Sequence, residues 1–212
     1  MGLYDTYLAV RNRFHEGDPP SHVAIVLTER DLLADGAFDT LAAALRWTLE
    51  YGAERVTVSV SVLDSSVVPT LTRELRRLDA PVPTAVRTPD DVDTTAESAA
   101  IGAAGNPPIR IAVGLGGKAE FAAAVRDLAG DVDAGRLAPD AIDAEDITDR
   151  LLIPEEPDLV IKTGAERLSD FAIWQSVYSE LYFTDVNWRD FRRRDYLRAV
   201  LDFQDRQRRF GR

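Results

Sequence analysis

Apolar positions along the chain come in short blocks that alternate between two periods. Val23 to Leu27 is a continuous apolar run, short enough for a buried strand. Phe38, Leu41, Ala42, Leu45 and Leu49 repeat at helical spacing, and Gly52 stops that helix. Val56 to Val62 alternates valine with polar residues and predicts a strand. Leu71 to Leu78 predicts a short helix, broken by Pro81 and Pro83. Ala85 to Arg87 fits an edge strand, and Thr88 to Asn106 a loop with a helical turn. Ile109 to Val113 is a second buried strand, followed by a turn at Gly114, Gly116 and Gly117 and a helix from Ala119 to Ala129. Asp140 to Leu152 predicts a helix, Leu159 to Lys162 a strand, and Ser169 to Ser179 a helix. Leu181 to Thr184 adds a last strand, and Trp188 to Arg209 a long closing helix.

Strands alternating with helices predict an α/β fold, a mostly parallel sheet of about six strands with helices on both faces. No internal repeat or linker divides the chain, so residues 1–212 are expected to form a single domain. Hydrophobic residues make up 45% and charged residues 29%, a globular balance that supports a real core. No apolar run is long enough to span a bilayer, and MGLYDTYLAVRNRF lacks the basic head and apolar block of a secretory signal. A cytoplasmic location is the resulting expectation. The absence of cysteine excludes disulfides and thiol chemistry, and His15 and His22 are too few for a histidine metal centre. A formal charge of −11 argues against a nucleic-acid partner.

The candidate chemistry sits late in the chain. Thr163, Gly164 and Ala165 lie between a strand and a helix, where backbone N–H groups can face an anion. Lys162, Arg167 and Ser169 cluster around that turn and can donate to phosphate oxygens. The same residues also admit a structural role. Ser169 can cap its helix, Arg167 can pair with Glu166 or Asp170, and Glu180 can be a surface charge. Trp174, Gln175, Tyr178, Tyr182 and Phe183 suit a core or an interface.

The stretch DLVIKTGAERLSDFAIWQSVYSELYFTDVNWR, Asp158 to Arg189, resembles the diphosphate-binding end of the cis-prenyltransferases, the family of undecaprenyl diphosphate synthase. The resemblance runs in order from about Leu3 to the last residue and includes the glycine turn at Gly114. It implies that Lys162, Arg167 and Ser169 hold isopentenyl diphosphate and that Glu180 is a carboxylate associated with magnesium. It also implies that the terminal R-x-G, Arg209 to Gly211, reaches a dimer partner's active site, with Arg209 and Gly211 contacting the diphosphate there. The family's arginine is replaced by Lys162, which loses the bidentate fork, and the loop KTGAERLS is one residue shorter.

The first half departs from the same family. Pro20 to Val26 resembles its P-x-H-V-A-I-I, which continues M-D-G-N; here the chain reads Leu27, Thr28, Glu29, Arg30. Thr28 stands at the position of the essential aspartate. Glu29 replaces the glycine that lets backbone approach a diphosphate, and it is an anion itself. The resemblance therefore implies a degenerate member, similar to the Nogo-B receptor type of accessory subunit. The expected function is that of a non-catalytic subunit. It would pair with an intact cis-prenyltransferase, or with itself, in making long-chain polyprenyl diphosphate from isopentenyl diphosphate and an allylic primer. Magnesium is expected only where a diphosphate site is kept or shared. Two other readings stand beside it: a self-sufficient homodimeric synthase with Glu29 or Asp31 as substitute metal ligand, and a prenyl diphosphate binding or regulatory protein. At most peripheral membrane contact is expected.

Overall fold

The computed structural model describes residues 2–91, 107–164 and 174–209. Six strands form one sheet: β1 (His22–Thr28), β2 (Arg55–Ser61), β3 (Thr84–Arg87), β4 (Ile109–Val113), β5 (Leu159–Thr163) and β6 (Glu180–Thr184). Their order is β3-β4-β2-β1-β5-β6, and every pairing is parallel. The sheet is thus wholly rather than mostly parallel, and Ala85 to Arg87 does lie on an edge strand.

The helices are α1 (Leu3–Arg13), α2 (Glu29–Leu32), α3 (Ala37–Glu50), α4 (Val68–Arg76), α5 (Gly117–Asp133), α6 (Ala144–Thr148) and α7 (Arg193–Arg209). Alternation along β1 divides the core. Val23, Ile25 and Leu27 join a large cluster with α3, α4 and α7, including Leu41, Leu45, Leu71, Leu75, Val200 and Phe203. Ala24 and Val26 face the other side with Val160. Burial of both faces explains why these strands read as unbroken apolar runs. Among the described residues, no helix is long and apolar enough to cross a membrane.

Three helices differ from expectation. Asp140 to Leu152 is not one helix but a 3-10 turn at Pro139–Ala141 followed by α6. Asp143 starts α6 by accepting the N–H groups of Glu145 and Asp146. It ends at Thr148 in tight turns, and beyond them the N–H groups of Leu152 and Ile153 donate to Glu120, at 2.8 and 3.1 Å. The closing helix begins at Arg193, not Trp188. Trp188 and Phe191 are drawn into the core and stack at 5.4 Å, and the Trp188 indole donates to the carbonyl of Ala37 at 3.1 Å. Trp174 to Tyr178 form a turn, although a helix through Ser179 was expected; residues 165–173 and 92–106 lie outside the described residues.

Candidate diphosphate site at the carboxyl ends of β1 and β5

In a parallel sheet the crevice opens where successive connections leave a strand in opposite directions. From β1 the chain moves to β2 on one side, and later returns to β5 on the other. The switch point is therefore the carboxyl end of β1 and β5, the end that carries Thr28 and Lys162. Their strands are in register, with Val26 opposite Lys162.

On the β5 side, Lys162 is only 4% exposed, and its ammonium donates to the carbonyl of Thr163 at 3.2 Å. Burial lowers its pKa, while the nearby Asp31 carboxylate pulls it back up. Among the described residues this buried cation has one hydrogen-bond acceptor, a neutral carbonyl, a condition in which an anionic ligand gains most. The adjacent Thr163 hydroxyl is buried and has no hydrogen-bond partner among the described residues. Gly164 then turns the chain at φ 70°, a conformation that favours glycine, while its N–H donates to Thr184 at 2.9 Å.

The segment that follows carries Arg167 and Ser169, which lie outside the described residues. Its far end is anchored. Trp174 stacks on Phe121 at 5.7 Å and donates to the Thr148 hydroxyl at 3.1 Å. Gln175 is buried and donates to the carbonyl of Ile153 at 2.7 Å and to Glu120 at 3.4 Å. Burial raises the pKa of Glu120, and its hydrogen bonds from Ile153, Gln175 and Leu152 oppose that shift. Glu120 thus ties the turn at Trp174 and Gln175 to the segment leading into β5, a role its sequence position did not reveal.

The β1 side is closed by the chain itself. Thr28 caps α2, and its N–H and hydroxyl both donate to Asp31 at 2.8 Å. Glu29 is 9% exposed, and its carboxylate accepts the backbone N–H groups of Leu63 and Asp64 at 2.9 and 3.3 Å. Those two donors form the kind of backbone nest that receives an anion, and Glu29 fills it. Asp31 and Glu29, the candidate substitute metal ligands, are both committed to protein donors. Among the described residues, no group of three His, Cys, Asp or Glu is placed to hold a metal ion.

Glu180 stands apart from Lys162. It is the first residue of β6, opposite Leu159 at the amino end of the sheet, and it pairs with Arg206 at 2.9 Å. Four residue steps along β6 separate it from Thr184, the partner of Thr163, a distance of about 13 Å. One protomer therefore does not bring Glu180 to the Lys162 turn. Arg209 closes α7, and Gly211 lies outside the described residues. Tyr178 is 84% exposed and Val177 and Phe183 are also exposed, whereas Tyr182 packs against the main core cluster.

The family described as "Putative undecaprenyl diphosphate synthase" matches residues 82–211, more than half of the chain. The chain belongs to this family. The matched range holds the Lys162 turn and α7 and leaves Thr28 and Glu29 outside. The chain is 50% identical over 107 residues to the tritrans,polycis-undecaprenyl-diphosphate synthase (geranylgeranyl-diphosphate specific) of Methanopyrus kandleri, covering 49% of this chain and 40% of that protein. The enzyme of the same name from Thermococcus kodakarensis is 45% identical over 129 residues, 58% of this chain and 49% of the relative. An isoprenyl transferase of Streptococcus thermophilus is 44% identical over 110 residues, 49% and 44% of the two chains. The chain spans less than half the length of these relatives. The fold is shared with lavandulyl diphosphate synthase from Lavandula x intermedia in complex with dimethylallyl diphosphate. That structure superposes with a TM-score of 0.68 over 88% of this chain and 95% of that chain, at 23% identity.

Proposed function

We propose that this chain is the non-catalytic subunit of a heteromeric cis-prenyltransferase. A catalytically intact relative would make long-chain polyprenyl diphosphate from isopentenyl diphosphate and an allylic primer. This chain would serve as its dimer partner. In this reading it is a degenerate family member of the Nogo-B receptor type.

The observation that carries the reading is the closed β1 exit. Ionising an allylic diphosphate requires positive charge and open donors around the leaving group. Here Thr28 contributes a hydroxyl already spent on Asp31, and Glu29 puts a carboxylate into the backbone nest. A second diphosphate brought to that position would meet an anion. The Lys162 turn, by contrast, keeps a buried ammonium and a hydroxyl that has no partner among the described residues, a pair that suits one diphosphate. Lys162, Arg167 and Ser169 would grip isopentenyl diphosphate on this chain. Arg209 and Gly211 would complete the partner's site. The commitment of Glu29 and Asp31 to protein donors weighs against the self-sufficient homodimer.

Purified chain is to be mixed with an intact family member, and elongation of an allylic primer by isopentenyl diphosphate followed. The expected result is no turnover by this chain alone and increased turnover by the mixture. Robust elongation by the isolated chain, or no effect on any intact relative, rejects the proposal. Tight binding of isopentenyl diphosphate without activity in either setting would assign the chain as a binding protein instead.

A further inference from the structure

Helix α1 presents an apolar ridge that is largely exposed among the described residues. Leu3 is 94% and Phe14 79% exposed, and Tyr7 and Val10 between them are more than half exposed. At 100° per residue these four side chains fall within about 60° of each other. The opposite face holds the helix down. Leu8 packs with Leu197 and Leu201 of α7, and the buried Asn12 amide donates to the carbonyls of Leu8 and Leu197 at 3.0 and 3.1 Å. The ridge therefore points outward from a helix that is already folded and docked.

The flanks of the ridge carry cations. Arg11 lies on one side and Arg13 on the other, both exposed. Arg11 shares Asp205 at 3.6 Å, and Arg13 makes no ion pair among the described residues. Tyr4, half exposed, stands beside the ridge with its hydroxyl toward Arg198 at 3.4 Å.

We infer that α1 is a docking ridge for a lipid bilayer surface bearing anionic headgroups. Leu3, Tyr7, Val10 and Phe14 enter the interface, and Arg11 and Arg13 reach the headgroups. Three features select this occupant. The ridge is convex and about 16 Å long, so four side chains fall well short of the roughly 800 Å² per partner that a stable protein interface buries. A bilayer has no such threshold and deforms around each side chain. Leucine, valine and phenylalanine with tyrosine among them, flanked by arginine, suit the boundary between acyl chains and headgroups. The net charge of −11 opposes adsorption of the chain as a whole to an anionic surface, so contact must come from the apolar ridge and its flanking arginines. The inference deepens the proposed function, since a long-chain polyprenyl diphosphate is a lipid that must leave the enzyme for a membrane.

The test is flotation of the full chain with phosphatidylcholine vesicles, with and without phosphatidylglycerol. The unaltered chain is expected to float, and more strongly with phosphatidylglycerol. Leu3→Ser with Phe14→Ser should lower partitioning at least about tenfold on both vesicles. Arg11→Ser with Arg13→Ser should lower it about fivefold per arginine on the anionic vesicles alone. Failure of the unaltered chain to float, or equal flotation of the ridge variant, overturns the inference. So does a self-associated species in sedimentation that the ridge variant abolishes, which would assign the face to a second copy. Stimulation of an intact relative is assayed separately without vesicles, where the ridge variant should match the unaltered chain. If the unaltered chain stimulates an intact relative but does not float, only the lipid reading fails; if it floats but does not stimulate, only the subunit reading fails.

Discussion

The carboxylate of Glu29 accepts the backbone N–H of Leu63 at 2.9 Å, across 34 residues of chain. It joins the exit of β1 to the exit of β2, and Asp64 adds a second donor at 3.3 Å. Removing the carboxylate leaves these N–H groups without their partner. Glu29→Ala is expected to destabilise the fold by about 1–3 kcal/mol. Urea unfolding monitored by circular dichroism checks this; an unchanged midpoint would show that water replaces the side chain without cost.

Lys162 should make diphosphate binding sensitive to alkali. Burial lowers its pKa from the ordinary 10.5, so the ammonium loses its proton earlier than an exposed lysine would. Affinity for inorganic diphosphate should fall as pH rises from neutral toward that lowered value. Lys162→Arg keeps its charge throughout and should flatten the profile. Calorimetric titration across this range decides it; parallel profiles for the two proteins would remove Lys162 from the site.

His22 should make the fold sensitive to acid. Burial lowers its pKa below 6.5, outweighing the hydrogen bond to the Glu156 carbonyl and the charges of Glu155 and Asp158. Its ring joins that carbonyl through Nδ1 at 3.1 Å and the Thr57 hydroxyl through Nε2 at 2.9 Å. A carbonyl only accepts, so Nδ1 carries the proton and Nε2 accepts from Thr57. Because the folded value is depressed, stability is fully present above 6.5 and is lost as pH falls through the lower, folded value. His22→Gln should remove that part of the slope in unfolding free energy against pH.

Arg209 should matter to the partner rather than to this fold. Arg209→Ala is expected to reduce stimulation of an intact relative by about 10–100-fold, the loss of one charge-assisted hydrogen bond of about 1.5–3 kcal/mol. The effect should appear in the KM for isopentenyl diphosphate. Thermal stability should stay unchanged, and unaltered stimulation would exclude the tail from the shared site.

Tyr178 and Phe183 are expected to lie in the subunit contact. Tyr178→Asp places a charge on an exposed aromatic patch beside an edge strand. Sedimentation should show weakened association at an unchanged melting temperature. Association equal to that of the unaltered chain would move the interface elsewhere.

The strands were legible where both faces are covered. The Val23, Val56, Ile109 and Leu159 segments are apolar enough to predict β1, β2, β4 and β5 within a residue or two. Helices were legible where one face is buried, as for α3, and misread where a distant group claims the backbone. Glu120 takes the N–H of Leu152, beyond α6, from 32 residues away in sequence, and Trp188 is held outside the last helix with its indole donating to the carbonyl of Ala37. No local period encodes such pairings. α1 went unread because its outer face is as apolar as its inner one.

Local chemistry alone determined the alternation of strand and helix, the Thr-x-x-Asp cap at Thr28, and the presence of a cation and a hydroxyl beside the glycine turn at Gly164. Those properties depend on neighbours a few residues apart. Tertiary structure decided which groups remained available. It buried Lys162, left the Thr163 hydroxyl without a partner among the described residues, seated Glu29 on the amides of Leu63 and Asp64, and drew Glu180 to Arg206 at the far end of the sheet. Desolvation and hydrogen-bond pairing act through space, and the parallel sheet alone sets which distant segments share that space.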